Sequence, residues 1–281
     1  MTTTYAPASE PGADEPRARF HDLVAAEWIK LRSLRSTWMA YGATALAVIA
    51  FNAGTAYDTY NYWPARSAAE RADYVQAGIP LQEAFTANAA MVMMLALGAI
   101  GAVAIIGEYS TGTIRATFAA VPARRSVMAA KAVVVTAVTT VFGAIVAGAS
   151  FGLTQAILDG RDAAVSIGYP GALRLVVASA LLAPVCAVVG MAIGSVIRHT
   201  SATMIASVVV ILVLPIVFTD GRHWSAVAGH ATLFQAWLRL VEVGSARTDF
   251  PWTIGGAWTV YAVWALTAAV LAVTSAQRRD Q

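Results

Sequence analysis

The sequence carries little charge. Asp, Glu, Lys and Arg make up only 12% of its 281 residues, and 58% of the residues are hydrophobic. Soluble proteins carry about twice that share of charged residues. The mean hydropathy is +0.63. A soluble globular protein is therefore excluded, and the composition is that of an integral membrane protein.

Cysteine and lysine are also scarce. The one cysteine, Cys186, lies within an apolar segment, so no disulfide can form within the chain. The two lysines, Lys30 and Lys131, follow Ile and Ala. A Walker A loop requires a lysine directly after a glycine, so that the lysine reaches the nucleotide phosphates. We therefore expect neither ATP hydrolysis nor a bound cofactor in this chain.

Acidic residues and histidines are missing from the middle of the apolar segments. Proton-driven transporters keep such groups inside the membrane as relays, so their absence disfavours proton coupling. An intramembrane hydrolase has one candidate nucleophile, Ser150 in the G-x-S-x-G string from Gly148 to Gly152. That motif works at a strand-to-helix turn, whereas this copy lies in an apolar helical segment. His223 and His230 lack a third ligand at metal spacing, so no metal site is predicted.

Six apolar segments are long enough to cross a bilayer, which requires about 20 residues of helix. They are predicted near Trp38 to Ala56, Phe85 to Ile106, Ala132 to Ile157, Ala172 to Val196, Thr203 to Thr219 and Ile254 to Ala276. The alternating segments of a membrane β-barrel are absent. The predicted fold class is therefore an all-α integral membrane protein, a bundle of six transmembrane helices. Gly148 with Gly152 and Gly190 with Gly194 are candidates for close helix packing.

Most cations lie on one side of the six predicted spans. An even number of spans puts both termini on that side, together with twelve Lys and Arg residues: Arg17, Arg19, Lys30, Arg32, Arg35, Arg115, Arg124, Arg125, Lys131, Arg198, Arg278 and Arg279. By the positive-inside rule this side is cytoplasmic. The net charge of +3 thus reflects topology, and no nucleic-acid partner is predicted. Low lysine beside high arginine, alanine and glycine favours a bacterial plasma membrane.

The N-terminal region has two parts. Residues 1–19 are rich in Pro, Thr, Ala and acids and are predicted to be a disordered cytoplasmic tail, which leaves residues 20–281 as the membrane domain. From Phe20 to Arg35, apolar residues recur at helical spacing and charged residues take the other side. We predict an amphipathic helix in the membrane interface, with lipids as partners. Its polar and interfacial residues are Glu27, Trp28, Lys30, Arg32 and Arg35. The alternative is a plain positive stop before the first span.

The segment GEYSTGTIRATFAAVPARRSVMAAK, from Gly107 to Lys131, joins the second and third spans. Hydroxyl residues near its start can cap a short helix, and Ile114, Phe118 and Val121 recur on one helical face before Pro122 ends it. An amphipathic helix on a cytoplasmic loop is suited to dock in the groove of a partner protein. The alternative is an ordinary positively charged loop.

These two segments, with EW.KLRS.R.TW at Glu27 to Trp38 and six spans, resemble the membrane subunit of a type-2 ABC exporter. The resemblance implies that the first segment is the family's elbow helix and that the second carries the coupling helix, which contacts the ATPase. The coupling residues that it implies are Glu108, Gly112, Thr113, Ile114, Arg115, Phe118, Val121, Arg124 and Arg125. We expect Ile114 to Val121 to form the docking surface.

The resemblance also implies partners. Since the chain lacks a Walker A loop, ATP and magnesium would be bound by a separate ATPase subunit. One six-span chain is half of a transport pathway, so a second copy or a related permease is expected. Two other classes stay open: a membrane immunity or sensory subunit that binds a molecule without moving it, and the intramembrane hydrolase centred on Ser150.

Overall fold

The computed structural model describes residues 19–120, 123–218, 222–243 and 250–275, with the backbone alone for Arg115, Phe118 and Ala120. Across these ranges thirteen α-helices follow one another without a β-strand. They are α1 (Phe20–Ser33), α2 (Arg35–Tyr62), α3 (Ala68–Gln76), α4 (Ile79–Ala84), α5 (Ala87–Ser110), α6 (Thr113–Ala120), α7 (Arg124–Asp159), α8 (Ala172–Ile197), α9 (Thr200–Val208), α10 (Leu214–Val217), α11 (His223–His230), α12 (Leu233–Val241) and α13 (Ile254–Thr274). A 3₁₀ turn lies at Trp63–Ala65 and a π-helical turn at Val209–Val213.

Six helical stretches of the described ranges are long and apolar enough to cross a membrane. They are Arg35–Ala65, Ile79–Ser110, Arg124–Asp159, Ala172–Ile197, Thr200–Val217 and Ile254–Thr274. Each coincides with one predicted span, so the prediction of an all-α bundle of six spans is confirmed. Thr219 and Ala276, the predicted ends of the last two spans, lie outside the described residues, as do residues 1–18 of the predicted tail.

Helix α8 lies at the centre of the bundle and packs against α5, α7 and α13. Its backbone touches that of α5, because a Cβ on Gly190 would lie 1.8 Å from the carbonyl oxygen of Gly98. A Cβ on Gly194 would lie 3.2 Å from the carbonyl oxygen of Ala102. The predicted packing role of this glycine pair is thus confirmed. Gly148 and Gly152, the other predicted pair, meet no neighbour within 4 Å among the described residues.

The second span begins further out than predicted, since α4 precedes α5. Asn52 joins it to the first span, with its Oδ1 accepting hydrogen bonds from the backbone N–H of Thr86 at 2.9 Å and from its hydroxyl at 3.0 Å. Glu83 of α4 is buried and accepts a hydrogen bond from the hydroxyl of Thr59 at 2.7 Å. Glu83 thus lies near the outer end of the observed second span, Ile79–Ser110, because helix α4 extends the apolar stretch past it.

The fifth span is irregular. Pro215 has no N–H to donate, so a regular α-helix cannot continue unchanged through it. The helix widens to a π-helical turn at Val209–Val213 directly before this proline. The span then ends with the short helix α10.

Two helices, α11 and α12, lie between the fifth and sixth spans. Trp237 of α12 is buried, and its indole N–H donates to the hydroxyl of Ser179 in α8 at 3.1 Å. Trp224 of α11 is exposed instead. Helix α12 therefore packs against α8, and the apolar residues of this loop are partly buried in the core and partly exposed on the surface.

Candidate functional site

The predicted short helix between the second and third spans is present as α6. Gly112 precedes it with φ +72°, a left-handed conformation that glycine adopts without strain. The hydroxyl of Thr111 donates to the carbonyl of Gly107 at 2.8 Å and lies 2.9 Å from the hydroxyl of Thr113. These contacts close the end of α5 and let the chain turn at once into α6.

The predicted coupling residues are distributed around this turn. Glu108 is near the end of α5, and Gly112 and Thr113 form the turn itself. Arg124 and Arg125 begin α7, where Arg125 is exposed and Arg124 is half-buried. Val121 and Pro122 lie outside the described residues, as do the side chains of Arg115 and Phe118.

Helix α6 has a buried and an exposed face. Ile114 is only 5% exposed, so its side chain faces the protein and is not on the surface in this conformation. Ala116 and Ala119 are exposed. The exposed face of α6 is therefore formed by the positions around Ala116 and Ala119, and the buried Ile114 lies on the opposite face. Contact between α6 and an ATPase stays a prediction.

The N-terminal helix α1 packs on α7 rather than standing apart from it. Leu23 of α1 forms an apolar cluster with Val127 and Ala130 of α7. At Leu34 the backbone is extended, with φ −85° and ψ 93°, and α2 begins at Arg35. Trp28 is 41% exposed, as suits a residue at a membrane interface. The position of α1 in the interface stays a prediction.

The predicted sides of α1 need one correction. The sequence pattern puts Glu27 and Lys30 on a polar face with Arg32 and Arg35, but Glu27 is buried at 5% exposure. The reason is tertiary, because the oppositely charged Lys131 of α7 meets it inside the protein. Arg32 and Arg35 remain exposed.

Four charged side chains meet where α1, α5 and α7 converge, and we call them the four-charge cluster: Glu27, Lys30, Glu108 and Lys131. Lys131 donates to Glu108 Oε1 at 2.8 Å and also to Glu27 Oε2. Lys30 donates to Glu27 Oε1 at 2.6 Å and approaches Glu108 Oε1 at 3.3 Å. Two acids and two bases make the cluster neutral. A buried charge is tolerated when it is paired and hydrogen-bonded in this way.

Two opposing effects act on the pKa of Lys30 in the cluster. Burial by itself lowers the pKa of Lys30, but hydrogen bonds to Glu27 and the charges of Glu108 and Glu27 more than offset it. The pKa of Lys30 is therefore raised above its ordinary value of 10.5. The cluster ties α1 to both ends of the segment that carries α6.

The four-charge cluster as a unit was not predicted from the sequence. Its members are as much as 104 residues apart, and two different roles were predicted for them, with Glu27 and Lys30 in the interfacial helix and Glu108 among the coupling residues. The signal available was Lys131, one of two lysines in the chain and located beside an apolar run. Such a cation requires a partner when its helix is packed.

The structure gives little support to catalysis. Ser150 is buried within the regular helix α7, with no strand-to-helix turn at that point. Among the described residues, no three His, Cys, Asp or Glu side chains are grouped so that they could hold a metal ion.

In the parts of the chain that the structure describes, six apolar helical stretches and no strands define a multi-pass helical membrane protein. The chain belongs to the ABC-2 family: the family model described as ABC-2 family transporter protein matches residues 22–228, which run from α1 into α11. No curated protein matches the sequence at a significant level. Members of this family are membrane subunits and are not themselves catalytic.

Proposed function

We propose that the chain is the membrane subunit of an ATP-driven exporter and works with a separate ATPase. Two copies of the chain, or one copy and a related permease, form the translocation pathway in a bacterial plasma membrane. ATP and magnesium are bound by the ATPase. One observation carries the proposal. Glu108 and Lys131, which lie on either side of α6 in the chain, are joined to each other and to α1 by the four-charge cluster.

The side on which α6 lies supports this assignment. The observed spans divide the cations of the described residues as the predicted spans do, so α1 and α6 share the cation-rich side. The positive-inside rule makes that side cytoplasmic. ATP is hydrolysed in the cytoplasm, so α6 is on the correct side to meet an ATPase.

The proposed mechanism follows from the contacts of α6. ATP binding closes the ATPase subunits and moves α6 through its exposed face. Ile114 and the turn at Gly112 pass the movement to α5, and the start of α7 moves with it. Because Glu108 and Lys131 are joined to Glu27, α1 follows as well. The bundle then changes from an inward-open to an outward-open form and releases the substrate outside.

The test compares two alanine-to-tryptophan variants at exposed sites on opposite ends of the bundle. Ala119→Trp adds bulk to the exposed face of α6, and Ala69→Trp does the same on α3, between the first and second spans. We expect an ATPase to co-purify with the wild type and with Ala69→Trp and to be lost, with its substrate-stimulated ATP turnover, from Ala119→Trp. Both variants should insert and fold as the wild type does.

Two results would contradict the proposal. Co-purification of the same ATPase with Ala119→Trp at the wild-type level would remove α6 from the interface. A stable ATPase complex whose turnover no transported compound stimulates would favour the immunity or sensory class instead.

A further inference from the structure

A cavity of about 410 Å³ opens beside the four-charge cluster, between α1, α2, α5 and α7. Its volume lies within the range of sites for small organic ligands, about 300 to 1,000 Å³. All four members of the cluster line the cavity, together with the hydroxyl residues Ser33, Thr37, Thr111 and Thr113. The exposed face of α6 proposed to meet the ATPase, around Ala116 and Ala119, is not part of this lining.

The lining changes from polar to apolar along the membrane normal on three helices at once. On α5, Glu108 is followed toward the middle of the bilayer by Ala104, Val103 and Ile100. Eight residues of helix separate Glu108 from Ile100, which is about 12 Å at 1.5 Å per residue. On α7, Lys131 gives way to Val134 and Val135, and on α2, Thr37 gives way to Tyr41.

The cavity is open to a ligand from the lipid side. Val103 is 49% exposed although it lies in the apolar part of the second span. The side chain of Lys30 is 40% exposed, and its bonds to Glu27 and Glu108 use two of its three N–H donors. Glu108 keeps 15% of its side chain exposed. A cation and an anion thus border the polar end of the cavity, and the apolar end opens toward acyl chains.

We propose that this cavity binds one membrane phospholipid with an ethanolamine headgroup. Lys30 contacts the phosphate, Glu108 accepts hydrogen bonds from the primary ammonium, and one acyl chain lies on Val103, Tyr41 and Val135. An anionic headgroup without an ammonium would bring a negative charge beside Glu27 and Glu108. A choline headgroup has no N–H to donate to Glu108. The site goes beyond the proposed function, since it requires neither ATP nor a partner subunit.

The experiment is native mass spectrometry of the purified full-length chain in detergent with equal amounts of three phospholipids that share the same acyl chains. Their headgroups are ethanolamine, choline and glycerol. We expect the wild type to retain about tenfold more of the ethanolamine lipid than of either other lipid, as one charge-assisted hydrogen bond provides. Lys30→Gln should lower retention of all three lipids alike, because they share the phosphate that Lys30 contacts, whereas Glu108→Gln should keep lipid binding but lose most of the preference for ethanolamine.

Two valine-to-tryptophan variants on spanning helices test the location. Val103→Trp fills the apolar part of the cavity and should lower retention of the ethanolamine lipid to that of the choline lipid. Val263→Trp, at a position 55% exposed on α13 and outside the cavity, should retain lipid as the wild type does. Thermal unfolding of each variant checks that it is folded.

Several outcomes would overturn the site. They are equal retention of the three lipids by the wild type, unchanged retention by Val103→Trp, and a Val103→Trp variant that loses its dimer while it keeps the lipid. The last would show that a second copy of the chain covers the cavity. Each leaves the co-purification of the ATPase unaffected, so failure here is distinguishable from failure of the proposed function.

Discussion

Replacement of Lys131 by methionine should destabilise the protein strongly. The side chain of Lys131 is 8% exposed, and it donates to both Glu27 and Glu108. Methionine keeps most of the apolar stem and removes the charge, so packing around the stem is largely preserved. What remains is a buried Glu27 at 5% exposure that has lost one of its two cations.

The size of the effect follows from the burial and from what stays behind. Removal of one partner of a buried ion pair costs about 3 to 5 kcal/mol. Lys30 still donates to both carboxylates, so we expect a loss near the lower end, about 3 kcal/mol. At roughly 2 to 4 °C per kcal/mol for a chain of this size, the apparent Tm should fall by about 6 to 12 °C.

Tryptophan fluorescence during heating in detergent measures this shift. The control is Arg32→Met on the exposed face of α1, which should change stability by no more than about 0.5 kcal/mol. The double variant Glu27→Gln with Lys131→Met should recover at least half of the lost stability, because it removes the uncompensated carboxylate together with the lysine. Equal Tm values for Lys131→Met and Arg32→Met, or a double variant as unstable as the sum of the two single changes, would refute the reasoning.

Two further predictions concern helix packing and alkaline pH. Gly190→Ala should cost about 3 kcal/mol or more, since its methyl group would overlap the carbonyl of Gly98, whereas Gly148→Ala should be neutral because a Cβ there meets nothing within 4 Å. Equal thermal stability of these two variants would count against the close contact of α5 and α8. The raised pKa of Lys30 adds stability that is complete below about pH 10.5 and is lost as the pH rises through the higher pKa of the folded protein. Denaturant unfolding from pH 9 to 12 should therefore show a steeper loss for the wild type than for Lys30→Gln, and parallel curves would show that Lys30 gains nothing from the cluster.

The spans were predictable because the signal is local. About 20 apolar residues suffice to cross a bilayer, and no distant residue can change that requirement. The short helix α6 was likewise predictable, since its turn residues and the spacing of its apolar residues lie within one segment. The beginning of the second span was not, because α4 continues the apolar stretch across Glu83 and a partner on another helix, Thr59, makes that burial possible.

The candidate site could be predicted only in part, for a related reason. The spacing of residues in α1 correctly indicates a helix but not which face is buried, since that depends on Lys131, 104 residues away. The two glycine pairs show the same limit. Gly190 and Gly148 have the same sequence pattern, and only the position of α8 at the centre of the bundle makes the first a contact and leaves the second open.

The arrangement of the four-charge cluster bears on how movement of α6 would spread under the proposed function. A loop that joined two spans by its backbone alone would let α5 and α7 move independently of α1. Here Lys131 is bonded to carboxylates of both α1 and α5, so a displacement of α5 that kept α1 in place would leave a buried charge without its partner. The free-energy cost of that unpaired charge is large compared with the cost of changing one side-chain rotamer. The three helices are therefore expected to move together as one unit, and the bend at Leu34 is where that movement would reach the first span.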